Sequence, residues 1–487
     1  MNTDDIVYMS LLIFSIGFGK FYRKIEEPNA RKNIGTLIGL LIVLVVSGVH
    51  IIHPLLAFFI NAVIITNLSP KVCHLASFIF SFLYLFFFRT TIYFGLPYPP
   101  AHTNLVQMIL TLKIVGLAFE INRSFIRNQD HQLKKSDLEE QENVTDTLSV
   151  VEMFHYCFNY VGVLTGPYYR YTTFRDSFEL PFYSFADNWK FTLQKLKFVP
   201  LFIVLFLTSS LTWPLSYALT DEFYQERSWL YRYWYIWPNF FTFRMRIYIG
   251  LVLSECVCTM AGLGLYPEKC KPKPGEGPTE NIPLLKKISQ DKDMLSKEEY
   301  NYNAIKNISP YDTDFCVSYR EGMKHWNICI QYWLAVNVYK RFPSKAFRTH
   351  ATLLVSAVWH GVYTGYYACI GTVPFVLAVE DIWIKLLLKN ESHKYSETRM
   401  KIHKFFIWFF KMHFFSYQAI AMHLLELNKI FYYYNSIYHA GLILGICLYV
   451  TGLYLYKLEK KNFKTENDEN RGIEQKNVSG EKKIHTN

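Results

Sequence analysis

Long apolar runs, each bounded by charged residues, limit what this chain can fold into. They recur along the sequence at residues 6–18, 35–49, 54–66, 72–88, 104–121, 198–219, 247–265, 351–379, 405–425 and 440–456. Because a helix of about 20 apolar residues crosses the hydrocarbon core of a bilayer, such a series is typical of a protein that crosses the membrane repeatedly. The sequence therefore predicts an all-α, polytopic membrane protein.

The composition favours a membrane protein and gives no indication of nucleic-acid binding. Of the 487 residues, 51% are hydrophobic and 18% are aromatic, which is more aromatic than an ordinary soluble domain. The net charge is +11, but Lys and Arg lie mainly in loops and beside apolar runs, where they meet anionic lipid headgroups. Trp and Tyr crowd the same flanks, as at residues 229–237, in the manner of membrane-interface belts.

Basic residues predict the orientation of the chain. Residues 20–32 carry five Lys or Arg against two Glu, which places this loop in the cytoplasm. Lys residues follow the last apolar run and place the C-terminal segment there too. Opposite sides for the two ends require an odd number of crossings, and we expect about eleven transmembrane or re-entrant helices. The predicted division is a multi-pass domain, residues 1–456, with polar loops near 127–147 and 267–314, and a charged, disordered cytoplasmic tail, residues 457–487.

Neither a signal peptide nor a metal or disulfide framework is predicted. Asp4 and Asp5 stand where a cleaved signal peptide would carry basic residues, so the first apolar run is expected to stay as a membrane helix. The nine cysteines are scattered, and Cys256 and Cys258 form a lone C-x-C inside an apolar run. Isolated cysteines of this kind are typical of apolar packing.

Two polar side chains in apolar surroundings are candidates for chemistry. His360 is the only side chain of the run 351–379 that could change charge near neutral pH, and an ionisable group at that depth indicates a functional site. Its alternative is a structural histidine, neutral and hydrogen-bonded to a neighbouring helix. Asn327 lies between Trp326 and Ile328, and its alternative is a hydrogen bond between helices.

A buried imidazole and a buried carboxamide suit acyl transfer. The imidazole can take the proton of an alcohol that attacks a thioester carbonyl, and the amide can donate to the developing oxyanion. The acceptor alcohol can attack directly, so no covalent Ser or Cys nucleophile is needed. The sequence contains no G-x-S-x-G elbow, no P-loop and no H-E-x-x-H motif.

The motif Trp326-Asn327, followed by Trp359-His360-Gly361 in the context S-A-V-W-H-G, resembles the membrane-bound O-acyltransferase family. The resemblance covers most of the chain. It implies the fold of that family, with Asn327 and His360 as the catalytic pair. Trp326, Trp359 and Gly361 are expected to shape the substrate pocket.

A second segment resembles one branch of that family, the lysophosphatidylinositol acyltransferases. Its sequence is Gly166-Pro167-Tyr168-Tyr169-Arg170-Tyr171. The resemblance implies substrate binding by Gly166, Pro167 and Arg170. Two simpler interpretations stay open, because Gly-Pro can merely end a helix and Arg near a helix end can extend to the membrane interface. The functional interpretation of Arg170 is a contact with a phosphate of the lipid headgroup or of CoA.

The resemblance implies transfer of a polyunsaturated acyl chain, such as arachidonoyl, from acyl-CoA to the sn-2 hydroxyl of lysophosphatidylinositol. The implied partners are acyl-CoA as co-substrate, a lysophospholipid and the bilayer, with no cofactor, in the endoplasmic reticulum membrane. One alternative is a family member with another acceptor: lysophosphatidylcholine, lysophosphatidylserine, lysophosphatidylethanolamine, a sterol, diacylglycerol or a protein. A further alternative is a transporter or scaffold, although the internal repeats typical of transporters are not apparent.

Overall fold

Helices make up most of the chain in the computed structural model, which describes residues 3–134, 148–389 and 396–461. The first half contains α1 (Thr3–Tyr22), α2 (Pro28–Ser47), α3 (Ile52–Asn67), α4 (Cys73–Arg89), α5 (Ala101–Lys134), α6 (Val150–Phe158), α7 (Tyr171–Glu179), α8 (Asn188–Leu196), α9 (Val199–Thr212), α10 (Asp221–Glu226), α11 (Trp229–Trp234) and α12 (Ile236–Ala261). The second half contains α13 (Ile282–Gln290), α14 (Lys292–Lys297), α15 (Pro310–Phe315), α16 (Tyr319–Lys324), α17 (Ile328–Leu334), α18 (Arg348–His360), α19 (Thr364–Gly371), α20 (Val373–Ile384), α21 (Glu397–Leu424), α22 (Leu427–Ser436) and α23 (Ala440–Lys461). Two short antiparallel strands, β1 (Tyr266–Pro267) and β2 (Tyr300–Asn301), complete the set.

Several of these helices are apolar enough to lie across a membrane. In the described ranges, five helical segments have both the length and the composition for a full crossing: Asp5–Tyr22, Pro28–Asn67, Ala101–Gln129, Asn188–Leu219 and Ala440–Lys461. The second of these joins α2 and α3 through a 3-10 turn. The prediction of a mainly helical chain with several apolar helices is confirmed.

Two long helices, α5 and α12, occupy the interior. Of the apolar window of α5, 89% is buried inside the protein, and α5 packs against α2, α3, α4, α6 and α7. The neighbours of α12 are α1, α8, α9 and α21. Lys113 of α5 is fully buried and donates to the Tyr156 carbonyl and the Tyr169 hydroxyl. A lysine inside the apolar run 104–121 predicts that this helix faces protein rather than lipid on one side, and the burial of Lys113 confirms this prediction.

The apolar run 351–379 is divided between three helices. The first, α18, ends at His360, and α19 and α20 follow after short breaks. Hydropathy alone suggested a run long enough for a continuous crossing, but the helix stops at the candidate catalytic residue. The break occurs because Gly361 leaves the helix with extended backbone, φ 168°.

The insertion 267–314, predicted only as a polar loop, is folded. It contains the β1–β2 pair and helices α13 to α15. Its apolar side chains form a core continuous with the main one: Cys270, Leu285, Ile288, Leu295, Tyr302, Ile305 and Ile308. Its potential glycosylation acceptor Asn307 is 1% exposed, which leaves no room for a glycan on the folded protein.

Two predicted polar segments extend beyond the described ranges. In the predicted loop 127–147, α5 continues to Lys134, and the remainder lies outside the described residues. The last helix reaches Lys461 rather than stopping at Tyr456, and the rest of the predicted tail lies outside the described residues. All nine cysteines are free thiols.

Candidate active site

His360 is the last residue of α18. Its ring stacks on Tyr366 at 5.8 Å between centroids and meets Trp359 edge-on at 5.0 Å. A Cβ on Gly361 would come within 2.3 Å of a Tyr366 ring carbon, so this close approach requires glycine at position 361. Neither imidazole nitrogen has a hydrogen-bond partner among the described residues, and the side chain is half-buried. The alternative of a structural histidine bonded to a neighbouring helix finds no such bond here.

Arg89 holds the end of the helix that carries His360. Its guanidinium donates to the carbonyls of Val358, at 2.9 Å, and Trp359, at 2.6 Å, and also to Asn104 Oδ1, at 2.9 Å. The last carbonyls of a helix lack partners within the helix, and a cation there is favourable. Arg89 is 6% exposed, so the last turn of α18 is held by a buried charge from the end of α4.

Asn327 lies at a helix N-terminus, immediately before α17, whereas His360 lies at the C-terminus of α18. Its backbone is left-handed, with φ 50° and ψ 47°, a conformation that Asn adopts more readily than most residues. The Asn327 carbonyl accepts from the N–H groups of Ile330 and Gln331, both at 3.0 Å. Its carboxamide makes no cap hydrogen bond and has no hydrogen-bond partner within the described residues. The alternative of an interhelical bond through this side chain therefore lacks a partner in the structure.

The turn before α17 is braced by a neighbour of Asn327. Gln331 Nε2 donates to the Trp326 carbonyl at 2.5 Å and also to the Met323 carbonyl. Trp326 is half-buried and packs near Tyr248 and Phe243, with ring centroids 5.7 Å and 6.4 Å away. The indole therefore packs against α12 beside Asn327, and its role in shaping a substrate pocket stays a prediction.

Helix α5 connects the two candidate catalytic segments. Trp359, next to His360, donates its indole N–H to the Met108 carbonyl at 3.1 Å. Trp333 of α17 donates likewise to the Leu112 carbonyl at 3.0 Å. The two acceptors are one helical turn apart, about 6 Å along the axis at 1.5 Å per residue. No hydrogen bond or ring contact joins the His360 and Asn327 side chains in the described ranges, but both segments are attached to α5 through these bonds. The turn that continues α17, Ala335–Tyr339, adds a contact because α18 packs against it.

The Gly-Pro-Tyr-Tyr-Arg segment packs on the same part of α5. Gly166 has φ 92° and precedes Pro167 through a cis peptide bond, and a Cβ at Gly166 would lie 3.2 Å from Ile109. Tyr169 is buried, accepts from Lys113 at 3.1 Å and donates to the Val161 carbonyl. The interpretation of Gly-Pro as a helix end is not supported, because α6 already ends at Phe158 and α7 begins only at Tyr171; substrate binding by Gly166 and Pro167 stays a prediction.

Arg170 lies between this segment and the insertion. It is the residue before α7 and is half-buried, with Tyr332 of α17 and the carboxylates of Glu120 and Glu276 in electrostatic range. Its Nε is buried without a hydrogen-bond partner. A position between carboxylates inside the protein differs from that of an Arg extended to the membrane interface, so this simpler interpretation of Arg170 is not supported.

The family of the chain follows from comparison with known proteins. The sequence profile of the membrane-bound O-acyltransferase (MBOAT) family matches residues 96–424 of this chain. This range begins just before α5 and ends with α21, so it includes both tryptophan anchors and both candidate catalytic residues. The chain belongs to the membrane-bound O-acyltransferase family. The resemblance stated from the Trp-Asn and Trp-His-Gly motifs is confirmed, and with it the prediction of an O-acyltransferase.

Relatives with more specific names are similar over nearly the whole chain. The membrane-bound acylglycerophosphatidylinositol O-acyltransferase frj of Drosophila melanogaster is 45% identical over 473 residues, 94% of each chain. The protein with the same descriptive name from Xenopus laevis is 36% identical over 458 residues, 93% of this chain and 94% of the relative. The Homo sapiens protein is 34% identical over 465 residues, 93% of this chain and 95% of the relative. This membrane-bound O-acyltransferase therefore resembles these relatives from end to end.

Sequence reasoning missed the residues that position the site. Arg89 follows the apolar run 72–88, and nothing in the local sequence connects it to a carbonyl 269 residues away. Asn307 begins an N-x-S sequence, and nothing in that pattern predicts its bond to the start of α17. Trp333 lies six residues after Asn327, and the local sequence does not predict that it donates to α5. A cation at the end of an apolar helix was the one signal that could have identified Arg89.

Proposed function

We propose that the protein transfers an acyl chain from acyl-CoA to the sn-2 hydroxyl of lysophosphatidylinositol. The choice of acceptor is supported by the names of relatives that are similar over more than nine-tenths of the chain. The proposed acyl chain is polyunsaturated, such as arachidonoyl. The reaction needs no cofactor beyond the co-substrate.

In the proposed mechanism His360 is the general base and Asn327 supports the developing negative charge. The acceptor hydroxyl attacks the thioester carbonyl carbon while the imidazole takes the hydroxyl proton. The Asn327 carboxamide donates to the carbonyl oxygen as that oxygen becomes negative. When the intermediate collapses, the carbon–sulfur bond breaks and the imidazolium returns its proton to the CoA sulfur. Both roles require side chains that are not already hydrogen-bonded, and in the described ranges neither side chain is.

The observation that carries this mechanism is the pair of indole hydrogen bonds on α5. Trp359 and Trp333 attach the two candidate catalytic segments to carbonyls one turn apart. An acyl transfer site needs its base and its oxyanion donor held on either side of one reacting carbon. Two anchors on one rigid helix supply such a fixed reference for both.

Arg170 is proposed to bind a substrate phosphate. Its guanidinium suits the planar recognition of phosphate oxygens, and its Nε has no partner in the described chain. Arg123 lies near the same Tyr332 and Tyr168 side chains, and its Nη2 is also without a partner there. Glu120 and Glu276 offset part of this positive charge, so we expect a contact that orients the substrate.

The proposed location is the endoplasmic reticulum membrane, with about eleven transmembrane or re-entrant helices and a cytoplasmic C-terminus. The excess of Lys and Arg at 20–32 and after residue 456 supports this orientation. Protease protection of tags at the two ends, in sealed microsomes, tests it. Protection of the C-terminal tag would contradict the proposed orientation.

The decisive experiment is an acceptor panel. Microsomes that contain the wild type are given arachidonoyl-CoA with lysophosphatidylinositol, lysophosphatidylcholine, lysophosphatidylserine or lysophosphatidylethanolamine. We expect the inositol lipid to be the preferred acceptor. His360→Ala should lower turnover by about 10²–10⁴-fold, the range for loss of a general base. His350→Ala is the matched control, since His350 is an exposed histidine near the start of the same helix.

Three results would contradict the proposal. Preference for a choline, serine or ethanolamine headgroup would overturn the proposed acceptor while leaving the acyl transfer intact. Undiminished turnover by His360→Ala, at a normal protein level, would remove the general base. A protein that transfers no acyl chain to any acceptor, including sterols and diacylglycerol, would return attention to a transporter or scaffold.

A further inference from the structure

Asn327 occupies a helix-capping position without capping the helix. An Asn directly before a helix normally uses its side-chain oxygen to accept the N–H of the second or third helical residue. Here the Asn327 side chain makes no such bond. The unpaired N–H groups at the start of α17 must therefore find acceptors elsewhere, because a buried donor without a partner is costly.

A second asparagine, Asn307, supplies these acceptors from the folded insertion. Its backbone carbonyl accepts the N–H of Ile328 at 2.8 Å. Its side-chain Oδ1 accepts the N–H of Cys329 at 3.2 Å. Cys329 is the second residue of α17, so Asn307 makes the bond that the side chain of Asn327 would otherwise make. Asn307 is 1% exposed and Cys329 is fully buried, so water cannot take over this role.

Asn307 is itself held by a buried carboxylate of α12. Glu255 Oε1 accepts the N–H groups of Asn307 at 2.7 Å and Ile308 at 2.9 Å. The other oxygen of Glu255 pairs with the Lys195 ammonium. Glu255 is 2% exposed, so its charge is compensated inside the protein. The start of α17 is thereby connected through Asn307 to the central helix α12.

We propose that Asn307 is a positioning residue that caps α17 in place of Asn327 and so frees the Asn327 carboxamide for the substrate. This inference rests on the oxyanion-stabilising role proposed above for Asn327. The insertion thereby has a function, because Asn307, which lies in the insertion just before α15, supplies the acceptors at the start of α17. Without the Asn307 acceptor, the Asn327 carboxamide, which stands at the cap position of α17, can turn to accept the Cys329 N–H. Rotation toward that N–H withdraws the carboxamide from the reacting carbonyl.

The test compares replacements of Asn307 that remove or keep the acceptor oxygen. Asn307→Ala and Asn307→Leu both remove it, and Leu keeps the approximate volume. Asn307→Asp keeps an oxygen at the same place, and this oxygen can accept the Cys329 N–H whether the Asp is ionised at the N-terminal end of α17 or protonated beside the Glu255 carboxylate. Asn303→Ala is the control, since Asn303 is an exposed asparagine of the same segment. Each variant is assayed with arachidonoyl-CoA and lysophosphatidylinositol, and rates are normalised to the monodisperse protein recovered in detergent.

We expect kcat to fall by at least about tenfold in Asn307→Ala and Asn307→Leu, and by up to the 10²–10³-fold that loss of an oxyanion donor causes. KM for both substrates should stay within about twofold, since ground-state binding does not need the Asn327 carboxamide. Asn307→Asp should keep most of kcat, and Asn303→Ala should match the wild type. This split between kcat and KM, with rescue by Asp, is not what a merely structural residue would give.

Three outcomes would overturn the inference. The first is wild-type kcat in both Asn307→Ala and Asn307→Leu while Asn327→Ala is inactive in the same assay. The second is an equal loss in Asn307→Asp, which would show that the acceptor oxygen is not what matters. The third is failure of both Ala and Leu variants to accumulate, which would make Asn307 a requirement of the fold itself. An active Asn327→Ala variant would instead refute the role proposed for Asn327, which distinguishes that failure from failure of the cap.

Discussion

Replacing Arg89 by lysine keeps the positive charge and removes the planar fork that holds the end of α18. The guanidinium makes three hydrogen bonds, to the carbonyls of Val358 and Trp359 and to Asn104. A hydrogen bond to a charged group contributes about 1.5–3 kcal/mol. The lysine ammonium is a single compact group and cannot reproduce the forked geometry of the guanidinium. The Lys variant therefore loses at least one of these three hydrogen bonds.

This loss falls on the residue before His360 and therefore on the position of the imidazole. Since 1.36 kcal/mol corresponds to tenfold in rate, the loss of one bond predicts a fall in kcat of at least about tenfold for Arg89→Lys. The assay measures acyl transfer at saturating arachidonoyl-CoA and lysophosphatidylinositol, normalised to protein. The midpoint of thermal unfolding in detergent should fall as well, because Arg89 is buried.

Arg246→Lys is the matched control for Arg89→Lys. Arg246 makes an exposed ion pair with Asp5 at 2.7 Å, and exposed pairs contribute about 0–1 kcal/mol. We expect its kcat to stay within about twofold of the wild type. If Arg89→Lys also kept the wild-type kcat, the reasoning that the guanidinium fork fixes the end of α18 would be refuted.

Three further replacements test the surroundings of the site. Gly361→Ala should lower both kcat and the thermal midpoint, because its Cβ would come within 2.3 Å of the Tyr366 ring; an unchanged midpoint would contradict this close approach. Trp359→Phe should lower the free energy of unfolding by at least about 1 kcal/mol, because the bond to the α5 carbonyl is lost and the smaller ring leaves space at a buried position. Denaturation in detergent measures this change, and a stability equal to wild type would count against the anchor. Lys113→Met should destabilise by about 1–3 kcal/mol, because two buried acceptors lose their donor; a higher thermal midpoint would show that burial of the ammonium outweighs its hydrogen bonds.

The sequence predicted the class of fold and the chemistry, because both are written in local patterns. Apolar runs identified a helical membrane protein, and Trp-Asn with Trp-His-Gly identified the family. The polar character of Lys113 in an apolar run predicted that α5 faces protein, and the structure places this residue at 0% exposure. The roles of His360 and Asn327 stay predictions, and their free hydrogen-bonding groups are consistent with them.

The path of the chain at the site could not be predicted in the same way. Hydropathy measures how apolar a run is and does not mark where its helix stops. The end of α18 at His360 could therefore not be predicted from the apolar run 351–379. The left-handed backbone of Asn327 and the cap from Asn307 depend on contacts between segments distant in sequence. Arg89 illustrates the limit most clearly, since its partners Val358 and Trp359 are reached only through the packing of α4 against α18.

The two indole bonds to α5 bear on how the protein can work in bilayers of different thickness. Thickness acts on the helices that lipid touches, and the apolar windows of Pro28–Asn67 and Ala440–Lys461 are only 33% and 17% buried. Helix α5 is shielded from lipid along most of its length, and both candidate catalytic segments take their position from it. If a thinner or more curved membrane tilts the outer helices, α5 carries both segments together as one rigid part. We therefore expect the separation between the candidate catalytic residues His360 and Asn327 to be insulated from changes in the lipid composition of the bilayer.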